Sequence, residues 1–152
     1  VVARSLSAGI LVVKGHDKRT RLVLRVEEPG LGVEEIAVVE RMFEEISKAY
    51  NEAAEKTGFE IIPTGDAIQY LRENVKEFNP DGGITLTRDS FHLSFDYGRF
   101  AAGLVWLKAL TGINAKDVSF IPCVDGAAAD SAVLDVIKAA VDEMPQVKQL
   151  YK

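Results

Sequence analysis

The chain has 152 residues, 47% hydrophobic and 27% charged, with a formal net charge of -5. That is one domain's length with enough apolar side chains to bury a core, and the composition argues against a disordered chain. The acidic balance argues against a nucleic-acid partner, which needs a basic face, and no apolar run reaches the length of a membrane span. The single cysteine, Cys123, excludes an internal disulfide and is expected to be a small buried or half-buried hydrophobe.

The chain opens at Val1 without a basic stretch followed by an apolar run and a cleavage site, so a processed protein or a fragment is expected. Ile10 to Val13 and Leu22 to Val26 read as short strands separated by the polar link Lys14 to Thr20. His16 and Asp17 lie in that link. A metal site built from His16, Asp17, Asp89 and His92 is a weak reading, because nothing in the sequence makes these residues converge; a solvated loop accounts for the first two. Glu28-Pro29-Gly30 breaks the chain. A helix is predicted over Glu34 to Thr57, with Ile36, Val39, Phe43, Ile46, Tyr50 and Ala53 on one stripe, acidic and basic residues opposite, and Gly58 as the terminating residue.

Phe59 to Ile62, stopped by Pro63, reads as a buried strand directly after that helix, the helix-to-strand step of a parallel sheet. Thr64-Gly65-Asp66 then opens a helix over Ala67 to Phe78, with Thr64 or Asp66 as its cap. The same turn lies at the strand edge where open α/β sheets bind ligands. Asn79 to Gly83 is a turn cluster, and Ile84 to Thr87 a short alternating run.

Asp89 and His92 follow, three residues apart, ahead of a nearly all-apolar helix over Tyr97 to Leu110 that ends at Gly112 and has Ser94 or Asp96 as its cap. Phe100, Leu104, Leu107 and Leu110 are expected in the core, and Gly98 and Gly103 to admit another backbone closely. An imidazole on a short loop before an anchored helix suits a general base. A carboxylate three residues earlier can bond the far ring nitrogen and fix its tautomer. Caps and surface hydrogen bonds explain the same spacing without catalysis. Val118 to Ile121 reads as another short apolar run, Asp125-Gly126 as a turn, and Ser131 to Met144 as a final helix capped by Asp130 or Ser131 and ended by Pro145; the tail from Gln146 is expected to fray.

Asp89-Ser90-Phe91-His92 resembles the last sequence block of the SGNH (GDSL-like) esterase and lipase superfamily. IIPTGDAIQ, RDSFHLSFDYGRFAAGLVWLKALTG and VSFIP together resemble a bacterial branch of it catalogued as a domain of unknown function, from about Glu34 to Met144. The resemblance implies a three-layer α/β/α sandwich with a mainly parallel sheet. It implies a serine esterase acting on an acyl ester, with a carbohydrate or similar metabolite as substrate, in which His92 is the general base and Asp89 its orienter. It implies no cofactor or metal, and an exported protein. The sequence has no Gly-Asp-Ser block: Gly65-Asp66 is followed by Ala67, and Asp89-Ser90 lacks the preceding glycine. Residues 1–152 therefore read as a single α/β domain, the C-terminal part of such a hydrolase. The alternative is a non-catalytic α/β domain, without the nucleophile, used for binding or assembly.

Overall fold

The longest helical pattern in the sequence is the longest helix of the fold. The computed structural model describes residues 10–12, 33–80, 82–89 and 92–150, and at 10–12, 33–40 and 42 the backbone alone. Helix α1 spans Val33–Thr57. Tyr50 is buried, Phe43, Ile46 and Ala53 are half-buried, and Glu44, Lys48, Glu52 and Lys56 face water, as the stripe requires. Gly58 ends α1 at φ +69°, its N–H on the Ala54 carbonyl at 2.7 Å, a left-handed turn that glycine makes without steric penalty.

Strand β2 (Glu60–Ile62) follows, and Ile62 is fully buried. Its partner is β1 (Ile10–Val12), and the pair is antiparallel, with Ile10 opposite Ile62 and Val12 opposite Glu60. Helix α2 (Thr64–Asn74) starts immediately and tightens into a 3₁₀ turn at Lys76–Phe78, short of the single helix to Phe78 read from the sequence. Helix α3 spans Gly98–Thr111 and ends at Gly112, φ +77°. A 3₁₀ turn at Ala115–Asp117 leads to a hairpin of β3 (Cys123–Val124) and β4 (Ala127–Ala128), turned by Asp125 and Gly126, both at positive φ. Helix α4 (Ser131–Glu143) is capped by Asp130, whose Oδ1 accepts the Ala132 N–H at 2.8 Å.

The expected three-layer sandwich with a mainly parallel sheet is therefore wrong. Helices dominate, and both strand pairs among the described residues are two-stranded and antiparallel. Phe59 to Ile62, expected as a buried strand of a parallel sheet, does contain a strand with Ile62 buried, but its partner runs antiparallel. A run of three or four apolar residues reads the same whether it is a strand or a loop lending one side chain to the core. Ile84 to Thr87 is of the second kind: Leu86 is buried, and the run makes only the isolated bridge Thr87 to Leu93. Val118 to Ile121 belongs to no strand, and Phe120 is 66% exposed. The predicted strand at Leu22 to Val26 lies outside the described residues.

The core is where α2, α3 and α4 meet. Ala101, Val105 and Ala109, four residues apart on α3, are fully buried, and the small side chains let neighbouring helices come close. Ile68 and Leu71 of α2 and Leu134, Ile137 and Val141 of α4 close around them. Phe100 and Leu104 are core residues as expected, but Leu107 is only half-buried and Leu110 is 41% exposed. Lys108, the one charge on this helix after Arg99, crosses to α4, where its Nζ lies 3.2 Å from the Val141 carbonyl and 3.1 Å from both the Asp142 carbonyl and Asp142 Oδ1. It thus caps the negative end of α4. Asp142 also accepts the N–H groups of Ala115 at 2.8 Å and Lys116 at 3.0 Å. The tail does not fray up to Leu150: Val147 is buried, and the Leu150 N–H donates to the Ala109 carbonyl at 2.8 Å.

Candidate functional site

The turn after β2 is spent on tertiary bonds rather than on capping. Pro63 is the N-cap of α2 and no side chain caps it. The Thr64 hydroxyl instead accepts the Trp106 indole N–H at 3.2 Å, and Asp66 accepts the Ser47 hydroxyl at 3.4 Å. Burial pushes the Asp66 carboxyl above the usual carboxylate range, and the Ser47 bond pulls it partly back.

The segment between Leu86 and Gly98 is arranged differently. The Ser94 N–H donates to the Leu86 carbonyl at 2.8 Å, Thr87 bridges Leu93, and the Arg88 N–H donates to the His92 carbonyl at 2.9 Å. These bonds close a small loop that carries Asp89 and His92 at its tip. Ser94 then ties the loop to α3: its hydroxyl accepts the Gly98 N–H and its carbonyl the Arg99 N–H, each at 2.9 Å. Ser94 is thus the residue that serves the helix start, while Asp96 Oδ1 accepts the neighbouring Tyr97 N–H.

At the tip, Asp89 Oδ2 lies 2.8 Å from His92 Nδ1, and Asp89 Oδ1 accepts the His92 backbone N–H at 2.7 Å. The two side chains are 46% and 36% exposed, so the pair faces outward from the helical core. The pair sits on a closed loop anchored to a buried helix, and no parallel sheet lies beside it among the described residues. With Nδ1–H donating to the carboxylate, Nε2 carries the lone pair, and that is the arrangement of an oriented base. The backbone bond means that Asp89 also holds the loop's shape.

Phe95, three residues after His92, is 46% exposed, and the guanidiniums of Arg88 and Arg99 lie 4.5 Å and 4.2 Å from its ring centroid. Phe95 and Arg99 also line a groove of about 690 Å³ whose walls are α3, through Leu104 and Leu107, and the 118–125 segment, through Phe120 and Cys123. Cys123 is exposed here, not buried as its sequence context suggested. Sequence reading missed Arg88, Phe95 and Arg99 as a group, because their convergence depends on how the loop closes. His16 and Asp17 lie outside the described residues, and among the described residues no three His, Cys, Asp or Glu side chains cluster as a metal site would need. No helix among the described residues is long and apolar enough to cross a membrane.

No curated protein and no solved structure matches the chain. Residues 36–141, which hold the Asp89–His92 loop, the groove wall on α3 and most of the three packed helices, match the model of a protein family. The chain belongs to that family, described as Domain of unknown function (DUF4886).

Proposed function

We propose that Asp89 and His92 are the base half of a serine-esterase site of SGNH type, acting on an acyl ester with a carbohydrate or similar metabolite as substrate. The observation that carries this reading is the 2.8 Å contact between Asp89 Oδ2 and His92 Nδ1 on an outward-facing loop braced by α3. In the proposed reaction His92 Nε2 takes the proton of a serine hydroxyl as that oxygen attacks the ester carbonyl, then returns it to the leaving alcohol. The same nitrogen next activates water to release the acyl group. Asp89 keeps Nδ1 protonated and steadies the imidazolium. The resemblance of Asp89-Ser90-Phe91-His92 and its flanks to the SGNH block supports these roles.

The reading requires a serine in a nucleophile turn, and the sequence has no Gly-Asp-Ser. A second reading, in which the domain binds or assembles without catalysis and Asp89 serves to shape the loop, needs no such serine, and the bond from the His92 backbone N–H to Asp89 supports it. Hydrolysis of a short-chain nitrophenyl ester by the product of the complete reading frame separates the two. His92→Ala should lower activity by about three orders of magnitude or more, since base and nucleophile act as a unit, and Asp89→Ala by less. Activity that survives His92→Ala would sink the assignment. Activity of the 152-residue chain that disappears in Ser5→Ala or Ser7→Ala would place the nucleophile where no nucleophile turn is legible.

A further inference from the structure

The groove beside the dyad loop combines two kinds of surface. Leu104, Leu107, Val118 and Phe120 make it apolar, and its volume of about 690 Å³ is that of a small-molecule site. Arg99 stands in its lining and Arg88 next to it, both over the Phe95 ring. Neither guanidinium makes an ion pair among the described residues. On a chain of net charge -5, two such cations sharing one exposed ring mark a local positive spot. The spot and the dyad are carried by one loop, in which the Arg88 backbone N–H is bonded to the His92 carbonyl. Among the described residues, Asp125 is the one carboxylate in the lining.

We propose that this groove binds the substrate of the Asp89–His92 site, and that the substrate is an amphiphilic ester with an apolar chain and an oxyanion. The chain lies along Leu104, Leu107, Val118 and Phe120; the oxyanion, a carboxylate or a phosphate, sits at Arg99 and Arg88. The substrate assignment rests on the esterase reading above, but the binding chemistry does not depend on it. A guanidinium gives an oxyanion a charge-assisted, often bidentate pair that an alcohol cannot make.

Cys123 provides a direct readout, because it is exposed, lines the groove and is the only cysteine in the sequence. Its alkylation by iodoacetamide, an uncharged reagent, is followed in the 152-residue chain with octanoate, octyl phosphate or octan-1-ol present. Both anions should slow alkylation at concentrations about tenfold below those at which the alcohol does, the order of one charge-assisted contact. Whichever anion acts at the lower concentration identifies the head group. Arg99→Gln should bring the anions to the level of the alcohol, and Phe120→Ala should weaken all three ligands. Equal protection by octan-1-ol, unchanged protection in Arg99→Gln, or no protection at all would overturn the proposal. So would protection that depends on protein concentration and accompanies a doubled mass, which would assign the groove to a second copy of the chain. His92→Ala should leave protection intact. Protection together with esterase activity indifferent to His92→Ala would sink the catalytic reading and leave the groove standing; lost protection with activity that needs His92 would do the reverse.

Discussion

Gly98 is the point at which the loop and the helix are pressed together, and Gly98→Ala tests whether that contact holds the site. A Cβ at residue 98 would overlap the Leu86 carbonyl oxygen and lie 3.1 Å from Leu93 Cβ and 3.2 Å from the Leu86 carbonyl carbon. The nearest atom is backbone, so no rotamer change relieves it. Overpacking of this kind costs about 1–3 kcal/mol. Moving Leu86 away also weakens the bond from Ser94 N–H, 2.8 Å in the native loop, worth about 1 kcal/mol. Alanine's higher helix propensity returns at most about 1 kcal/mol, so the net loss is about 1–3 kcal/mol. Gly103, on the same helix, is the matched control: nothing lies within 4 Å of a Cβ built there. Gly103→Ala should therefore gain up to about 1 kcal/mol from helix propensity alone. Urea denaturation followed by Trp106 fluorescence gives both numbers. With a slope of about 1–3 kcal/mol/M, Gly98→Ala should lower the midpoint by roughly 1 M and Gly103→Ala should raise it slightly. A Gly98→Ala variant as stable as the native chain would refute the close approach, and with it the bracing of the Asp89–His92 loop by α3.

The orientation of α3 is tested by a pair of truncations. Leu104→Ala, at a side chain 3% exposed, should lose about 2–5 kcal/mol, whereas Leu110→Ala, 41% exposed, should lose under about 1 kcal/mol; equal urea midpoints would mean the helix is turned differently. Asp142 predicts an acid transition. Burial alone would raise its carboxyl, but the N–H groups of Lys116 and Ala115 and the Lys108 ammonium bring it below its ordinary value of 3.8. A folded value below the unfolded one gives stability that is present above the unfolded value and lost as pH falls through the folded one. Asp142→Asn should therefore be less stable near neutrality and lose less stability between about pH 5 and pH 2; superimposable acid profiles would remove Asp142 from the account.

Helices were legible in the sequence, as were the strand positions at Ile10 and Glu60, but the pairing of the strands was not, for the same reason. A helix repeats its pattern over many residues and carries signals at its ends: Gly58, Gly112, Asp130 and Pro145 all mark helix ends in the fold. A three-residue strand such as Glu60–Ile62 carries no such redundancy, and its partner and direction are set by residues some fifty positions away. Thr64 and Asp66 were misread because a polar residue at a helix start has two uses. The bonds they make reach Trp106 and Ser47, 42 and 19 residues distant, which no local pattern records. The exposed Leu110 has a similar origin: a helix apolar on every side does not say which side the core will take. The Asp89–His92 contact could be read because it is made within one short loop. The Arg88–Phe95–Arg99 group could not, since it forms only when Thr87 meets Leu93.

Asp89 gives one oxygen to the His92 backbone N–H at 2.7 Å and the other to the ring Nδ1 at 2.8 Å, so structure and chemistry compete for a single carboxylate. Asp89→Asn separates them. An asparagine keeps one acceptor oxygen and replaces the other with an NH₂ donor. If the amide oxygen stays on the backbone N–H, the loop survives, with stability within about 0.5 kcal/mol of native, since asparagine caps as well as aspartate. The NH₂ then faces Nδ1, which can no longer donate. The ring must turn its lone pair to Nδ1 and carry its proton on Nε2, the nitrogen that has to accept the serine proton. The folded variant would thus hold the wrong tautomer for a base. Two-bond proton–nitrogen correlations of His92, one of two histidines in the chain, read this directly in alkaline solution. The native protein should show the proton on Nδ1 and the variant on Nε2, with the urea midpoint little changed. A variant with the native tautomer would show that the carboxylate does not set the ring. A variant with a collapsed midpoint would show that Asp89 serves the loop first, which is what the non-catalytic reading requires.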